Sequence, residues 1–251
     1  MSRLLKALLL ILPPAALGLF AAGCGSSTPT QARLVNAIPD TAQYGTALDF
    51  EINGTKEFTD IPFQGYLPVS GYSSVPAGNA TIEGLETGTA TEAFNSPVTL
   101  GAGSQYTLVA TGFATNTSKV AIIPALDNNN PPSADKVEFR AIDASPSGPA
   151  AVDIYILPAG SSGPLTPPAT IADLAYKSTS KYVTVAFNPS INGGPNYTMY
   201  VTATGTTTPI LITQSLSAGS SSQGSIRTLV FTDQQNINQL NPLAIVLDDL
   251  N

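Results

Sequence analysis

Short segments in which apolar and polar residues alternate follow one another along most of the chain. Between residues 47 and 52, for example, Leu48 and Phe50 alternate with Asp49 and Glu51, which places the apolar side chains on one face of an extended strand. The segments of this kind in the first half of the chain are 34–37, 47–52, 56–61, 66–69, 72–75, 79–85, 93–100, 105–112 and 120–125. Those in the second half are 137–142, 152–157, 181–187, 197–203, 210–216, 226–233 and 243–247. Short strands at intervals of roughly 8–12 residues, without a long helical period, predict antiparallel β-sandwiches.

Turn-forming residues separate the predicted strands. Asn53-Gly54 is the strongest short hairpin signal, because both residue types tolerate a positive φ. The Gly, Ser and Pro residues between positions 158 and 168 predict a loop. Residues 171–176 fit either one helical turn or a strand.

The second half of the chain repeats the first. Arg33 and Arg140 open similar stretches 107 positions apart (140 − 33), and residues 120–127 resemble residues 243–249 near the end of each half. A repeat of this length predicts two tandem immunoglobulin-like antiparallel β-sandwich domains of ordinary size. The predicted domains are residues 32–131 and residues 136–251, joined by a linker at residues 128–133 that is rich in Asn and Pro.

Composition narrows the classes of function. Charged residues make up 11% of the chain, against about 25% in an average protein, while hydrophobic residues make up 43%. The net charge is −7, and it becomes −9 (8 basic and 17 acidic residues) when residues 1–23 are removed. Because an acidic surface repels phosphate groups, we predict no nucleic-acid partner.

The chain contains no His and a single Cys, Cys24. Without His, Ser-His-Asp and Cys-His catalytic groups and His-containing zinc sites are excluded. One Cys cannot form a disulfide within the chain. We therefore predict a protein that is not an enzyme and that carries no cofactor and no metal.

Residues 1–23 have the pattern of a signal peptide. Arg3 and Lys6 precede an apolar run that ends in small residues. Pro13-Pro14 interrupts the run, which argues against a membrane-spanning helix, since the bilayer core requires about 20 apolar residues.

Residues 21–24, Ala-Ala-Gly-Cys, resemble the lipobox of bacterial lipoproteins, in which the chain is cut before a Cys that carries diacylglycerol on its sulfur. The match departs from the usual pattern at Ala21, where Leu is more common. The resemblance predicts that Cys24 is lipidated and that residues 24–31 form a flexible polar tether. The residues after Cys24 do not resemble an inner-membrane retention signal, so we predict an outer-membrane or cell-surface location, with a periplasm-facing protein as the alternative. The alternative is an ordinary secretory signal with an incidental thiol.

Three stretches resemble motifs of a known family: residues 71–78 (GYSSVPAG), 105–110 (QYTLVA) and 143–155 (DASPSGPAAVDIY). The family is DUF4397, a group of bacterial surface proteins, and the resemblance covers nearly all of residues 32–251 as two units. Asn36 and Asp143 stand where the family pattern has His, and the second unit has no clear V-P-A-G motif. Because the family has no established activity, the resemblance implies a fold and a location rather than a chemistry.

Asp49 and Asp153 occupy equivalent positions in the two halves, each with Asn36 or Asp143 in the preceding strand. Repeated acids of this kind could bind Ca²⁺ through oxygen ligands. We favour the alternative that each Asp accepts backbone N–H bonds and caps a loop, because no loop has a D-x-D-x-D spacing.

Residues 178–181 have the S-x-x-K spacing of serine acylating enzymes, in which Lys activates Ser from the next helical turn. A strand pattern follows immediately, and a strand would place Ser178 and Lys181 on opposite faces. We therefore predict no catalysis there.

Aromatic side chains suggest a second candidate surface. The tyrosines concerned are Tyr66, Tyr72, Tyr106, Tyr155, Tyr176, Tyr182, Tyr197 and Tyr200. Aromatic faces stack on sugars and other apolar surfaces. Because most of these residues alternate with aliphatic ones in strands, we predict that they belong to core edges and sheet faces instead of a carbohydrate or peptide platform.

These inferences predict a lipid-anchored protein of the bacterial envelope with a non-catalytic role in adhesion, scaffolding or ligand binding. Its predicted partners are the membrane, through the acyl anchor, and an envelope protein or glycan that contacts the loops at the ends of the sandwiches. One alternative is an envelope solute-binding protein or enzyme with converging acids in a concave pocket. Another is a purely structural spacer.

Overall fold

The computed structural model describes residues 28–45, 47–161, 164–189, 196–217, 224–233 and 243–250. The strands of the first half are β1 (Thr30–Asn36), β2 (Ala47–Ile52), β3 (Thr55–Pro62), β4 (Tyr66–Leu67), β5 (Ser73–Val75), β6 (Gly78–Glu86), β7 (Glu92–Leu100), β8 (Gln105–Thr111) and β9 (Ala121–Leu126). Those of the second half are β10 (Lys136–Asp143), β11 (Ala151–Pro158), β12 (Ile171–Ala175), β13 (Val183–Ala186), β14 (Tyr197–Ala203), β15 (Ile210–Leu216), β16 (Ile226–Thr232) and β17 (Leu243–Asp248). Two short 3-10 helices are described, Thr41–Tyr44 and Ala114–Lys119. Every predicted strand has a counterpart, and the ambiguous residues 171–176 contain β12.

The first nine strands form a sandwich of two sheets. One sheet has the order β4-β1-β8-β9, with β5 also paired to β1, and the other has the order β3-β2-β6-β7. Alternate residues of the strands point between the sheets and are buried there, among them Leu34, Phe50, Ile82 and Leu108, each 0% exposed. The all-β sandwich predicted from the alternating pattern is thus confirmed in this half.

The second half has the same arrangement. Its sheets have the orders β13-β10-β16-β17 and β12-β11-β14-β15. They match those of the first half except at one edge, where β13 pairs with β10 but both β4 and β5 pair with β1. The core between them includes Phe139, Ile154 and Leu229, and the ring of Tyr197 packs edge-on against Phe139 with centroids 5.5 Å apart.

Each sandwich contains one parallel strand pair. β1 runs parallel to β8, and β10 runs parallel to β16, whereas the other ladders are antiparallel. Short, closely spaced strands predict antiparallel sheets. Alternation shows which residues share a face, but it does not show the direction of the neighbouring strand, so the parallel pairs were not predicted. The parallel pairs join the first strand of each sandwich to a strand far along the chain, a pairing that no turn signal marks.

Local turn chemistry agrees with the sequence. Asn53 and Gly54 join β2 to β3 with φ values of 52° and 75°, so the predicted hairpin turn is confirmed. Gly84 in β6 has a different role, because a Cβ at this position would lie 2.3 Å from the ring of Phe94. The glycine lets the Phe94 ring pack directly on the backbone.

The two sandwiches pack against each other through a third buried cluster. We call β4-β1-β8-β9 and β13-β10-β16-β17 the inner sheets, because the faces that point away from their own cores meet in this cluster. Its members include Val35, Val109 and Ile123 from the first sandwich and Ile142, Val230 and Leu247 from the second. The inner strands are therefore buried on both faces, which accounts for their nearly continuous apolar sequences.

Hydrogen bonds connect the inner sheets at one end of this cluster. The Thr111 hydroxyl donates to the Ala144 carbonyl at 2.8 Å, and the Thr232 hydroxyl donates to the Ala37 carbonyl at 2.9 Å. The two bonds are equivalent, since each joins the last residue of an inner strand to the loop after the first strand of the other sandwich. The contact between the sandwiches thus has an approximate two-fold relation.

Candidate functional site

Two buried arginines cross between the sandwiches at the other end of the inner sheets. Arg33 of the first sandwich forms an ion pair with Asp249 of the second, and Arg140 of the second pairs with Asp127 of the first. The arginine side chains are 4% and 1% exposed, and both carboxylates are 0% exposed. Each sandwich therefore supplies one cation and one anion to the other.

Each arginine also reaches the backbone of the other sandwich. Arg33 Nη1 donates to the Asp248 carbonyl at 2.7 Å, and Arg140 Nη1 donates to the Leu126 carbonyl at the same distance. Burial alone would lower the pKa of Arg33, but the neighbouring carboxylates, with Asp249 foremost, hold that pKa above its ordinary value. The Arg33 guanidinium thus stays charged in a site shielded from water.

A threonine of each sandwich links its arginine to its aspartate. The Thr107 hydroxyl accepts a hydrogen bond from Arg33 Nε at 2.9 Å, and the Thr228 hydroxyl accepts one from Arg140 Nε at 2.8 Å. Each hydroxyl donates in turn to the carboxylate of its own sandwich, at 2.9 and 2.6 Å. The hydroxyl rotors are therefore fixed, and the carboxylates gain a donor in addition to arginine.

Two tyrosines close the site. The Tyr72 ring lies over the Arg33 guanidinium at 5.4 Å, and the Tyr182 ring lies over that of Arg140 at 4.8 Å. Their hydroxyls donate to the aspartates of their own sandwiches at 2.7 and 2.9 Å. Burial is the main reason why the pKa of each tyrosine lies well above its ordinary value, and the nearby aspartate charges add to the increase.

We call this set the ion-pair clamp; it consists of Arg33, Tyr72, Thr107, Asp127, Arg140, Tyr182, Thr228 and Asp249. Every member in one sandwich has a counterpart in the other, and the main contacts of the two sets agree. Asp127 and Thr107 have one more contact each, to Arg33 Nη2 at 4.0 Å and to Arg140 Nη2 at 3.3 Å. The repeat in the sequence marks Arg33 and Arg140 as equivalent residues. It does not show that their partners lie in the opposite sandwich.

Asp49 and Asp153 lie away from the clamp and cap loops. Asp49 accepts hydrogen bonds from the backbone N–H groups of Asp60 and Gly88, at 2.8 and 3.2 Å, and from Lys56 Nζ at 2.9 Å. Although burial raises the pKa of Asp49, these bonds hold it below the ordinary value. The capping interpretation is confirmed at this position.

Asp153 has the same role in the second sandwich. Its carboxylate accepts the backbone N–H groups of Asp173 and Gly205, both at 2.9 Å. Asp60 and Asp173 both have a positive φ, of 56° and 54°, so the capped loops have the same local conformation. Within the described part of the chain, no group of three or more His, Cys, Asp or Glu side chains converges to hold a metal ion.

Asn36 and Asp143, which replace the family's His, lie at the ends of β1 and β10. The Asn36 amide donates to the Ile61 carbonyl at 3.0 Å and accepts from the Ile38 N–H at 3.1 Å. Asp143 accepts the equivalent bond from the Ser145 N–H at 3.0 Å, but a carboxylate has no N–H to donate. The side chain is only 2% exposed, and burial raises the pKa of Asp143 to about 6.

The S-x-x-K residues and most of the tyrosines have environments that fit a structural role. Ser178 Oγ donates to the Ala175 carbonyl, and Lys181 is exposed in the segment before β13. Tyr155 and Tyr197 are buried, at 4% and 2% exposure, as expected for core residues. Tyr72 and Tyr182 belong to the clamp, a role that the sequence analysis missed.

Cys24, the predicted lipidation site, lies outside the described residues, as does the predicted signal peptide. In the part of the chain that the structure describes, no helix has the length and apolarity needed to cross a membrane.

Comparison with known proteins identifies a family for this chain. Residues 30–155 match the DUF4397 family, a domain of unknown function. The match covers the first sandwich and continues through β10 into β11. No curated protein matches the chain.

Proposed function

Since the chain belongs to the DUF4397 family, whose function is unknown, we propose its role from its own geometry: a non-catalytic, lipid-anchored envelope protein that presents two sandwiches as one rigid unit. The loops at the ends of this unit contact envelope proteins or glycans. Adhesion and scaffolding both require this type of fixed presentation.

The ion-pair clamp is the observation that carries the proposal. Domains of one chain move relative to each other unless their interface is large and apolar. Here an apolar cluster lies between the inner sheets, and a buried ion pair from each sandwich lies beside it. Separating the sandwiches would expose the apolar cluster to water and break both ion pairs, so we expect the interface to stay closed.

A closed interface favours presentation over the alternative of solute capture. Solute-binding proteins of two lobes close around a ligand by a hinge motion. The reciprocal bonds of Arg33 and Arg140 oppose any hinge between the two sandwiches, since opening would break both pairs together.

The position of the first strand supports an anchor near the membrane. β1 begins at Thr30, six positions after Cys24. A fully extended chain of this length spans at most about 20 Å. If Cys24 carries acyl chains, the tether therefore holds the first sandwich close to the membrane surface.

Two measurements test the proposal separately. Cells grown with an alkyne fatty acid should label the parent protein in the membrane fraction but should not label the Cys24→Ser variant. Absence of label on the parent would overturn the lipid anchor.

Rigidity is tested by spin labels on the outer sheets. Thr59 in β3 and Ala172 in β12 are exposed and lie in different sandwiches. With both replaced by Cys in the Cys24→Ser background, we expect a single narrow distance distribution from pulsed electron spin resonance. A broad or two-peaked distribution would overturn the rigid unit and would favour two independent modules.

A further inference from the structure

A polar groove of about 510 Å³ lies next to the ion-pair clamp, where the start of the described chain meets the β7–β8 turn and the linker between the sandwiches. Its polar lining includes Thr28, Gln31, Ser104, Gln105, Asn128 and Asn129. The volume is in the range of about 300–1,000 Å³ that is usual for small-molecule sites.

The charge in the groove is already neutralised. Asp127 is the charged residue among the described residues of the lining, and its carboxylate is 0% exposed. It accepts hydrogen bonds from Arg140, Thr107 and Tyr72. A ligand in this groove therefore meets no free charge, which favours a neutral molecule over a phosphate or a cation.

The backbone around the groove is already hydrogen-bonded. The N–H of Gln31 donates to the Ser104 carbonyl at 2.9 Å, and the N–H of Asp127 donates to the Gln105 carbonyl at 2.8 Å. An extended peptide usually binds by adding a strand to free backbone groups. These backbone groups are not free for strand addition, which favours recognition by side chains.

Most polar side chains of the lining are amides, and some of these amides have unused hydrogen-bonding capacity. Gln105 Nε2 donates to Gln31 Oε1 at 2.8 Å, which uses one polar atom of each amide. Asn129 Oδ1 is buried without a hydrogen-bond partner among the described residues. The Asn129 side chain also lies near the Tyr72 hydroxyl of the clamp. A buried acceptor without a donor is unfavourable, so the Asn129 amide is an unsatisfied polar group beside the groove.

We propose that this groove binds a neutral oligosaccharide. Neighbouring sugar hydroxyls provide paired donors and acceptors, which match the N–H and C=O groups of primary amides. Leu126, which is 59% exposed at the groove, offers an apolar contact for the C–H face of a sugar ring. This inference rests on the proposed function, because a lining that begins at Thr28, four residues after Cys24, would lie within reach of glycans at the membrane surface.

The test uses the chain from residue 24 to its end with Cys24→Ser, titrated calorimetrically with neutral glucan and chitin oligosaccharides. We expect saturable binding of at least one of these. The double variant Gln31→Ala/Gln105→Ala and the single variant Asn129→Ala should each bind about tenfold more weakly, since each removes one or two hydrogen bonds. Asn95→Ala is the matched control, because this exposed amide lies on the outer strand β7 and donates to Glu92; its affinity should equal that of the parent.

Several outcomes would overturn the groove proposal. They are the absence of binding by the parent, equal affinity in parent and groove variants whose melting curves match, and preferential binding of an anionic glycan or an extended peptide. Fatty-acid labelling of Cys24 without glycan binding overturns the groove alone. Glycan binding without such labelling overturns only the anchor.

Discussion

Replacing Arg33 by Met tests the ion-pair clamp most directly. The substitution keeps an unbranched apolar side chain of similar length but leaves the Asp249 carboxylate buried without its cation. Removal of one partner from a buried ion pair typically costs about 3–5 kcal/mol. Asp249 still accepts hydrogen bonds from Thr228 and Tyr182, so we expect a loss near the lower end, about 3 kcal/mol.

The approximate two-fold relation also predicts the effect of the corresponding substitution in the second sandwich. Arg140→Met leaves Asp127 with the equivalent donors, Thr107 and Tyr72. Asp127 also lies 4.0 Å from Arg33 Nη2 and so keeps a cation nearby, whereas no second cation pairs with Asp249 among the described residues. The free energy of unfolding should therefore fall by no more than in Arg33→Met, by about 2–3 kcal/mol. Two exposed surface pairs would each contribute only about 0–1 kcal/mol.

Removing both partners separates the interaction from the cost of an unpaired charge. Replacement of a whole buried ion pair by apolar residues is often close to neutral. We therefore expect the double variant Arg33→Met/Asp249→Leu to be more stable than Arg33→Met alone by more than about 1 kcal/mol. An additive double variant would mean that the pair contributes nothing specific.

Urea unfolding followed by circular dichroism, together with calorimetric melting, measures these losses. At this chain length about 1 kcal/mol corresponds to a shift in Tm of about 2–4 °C, so Arg33→Met should melt about 6–12 °C lower. Lys136→Ala is the control, since Lys136 and Asp135 form an exposed pair at 3.5 Å with side chains 41% and 75% exposed. Its effect should stay within about 0.5 kcal/mol, and equal effects of the control and Arg33→Met would refute the clamp.

Three further predictions concern other sites. Because the folded pKa of Asp143 is about 6 against an ordinary 3.8, the stability from this group is full below about pH 3.8 and is lost as the pH rises through about 6. Asp143→Asn should therefore raise the unfolding free energy by up to about 3 kcal/mol at about pH 7 and by little at about pH 4 in urea titrations; an equal gain at both would contradict the pKa. Asp153→Ala should cost about 2 kcal/mol, since two backbone N–H groups lose their acceptor, while millimolar Ca²⁺ should leave the Tm of the parent unchanged in thermal melts. Gly84→Ala should cost about 1–3 kcal/mol in urea unfolding because its Cβ would clash with the Phe94 ring; an unchanged midpoint would contradict this packing.

The strands could be predicted from the sequence because one face of each strand points to a core. Residues 197–203 and 210–216 show this, since both predicted ranges coincide with β14 and β15. The turn at Asn53-Gly54 could be predicted from these two residue types alone. The parallel β1–β8 pair could not be predicted, because its two strands are separated by six others and no local signal joins them.

Only part of the ion-pair clamp could be predicted from the sequence. The repeat marks Arg33 and Arg140 as equivalent, and it also aligns the acidic ends of β9 and β17. It cannot show that each arginine pairs with the acid of the other copy, because a repeat within one chain carries no information on how the copies pack. The continuous apolar residues 108–110 could have indicated the interface, because a strand with one face in water would alternate, but no interface was predicted from them.

The use of charge in this chain supports a fixed arrangement of the two sandwiches. Only 11% of its residues are charged, and four are arginines, yet two of the four are buried between the inner sheets. Apolar contacts are not directional, so the cluster around Val35 and Val230 would by itself tolerate sliding. Paired charges held by tyrosine and threonine allow one register, because any displacement leaves a buried ion without its partner. The end loops and the amide-lined groove are thereby kept at constant separations, as a surface that presents ligands or partners at the envelope requires.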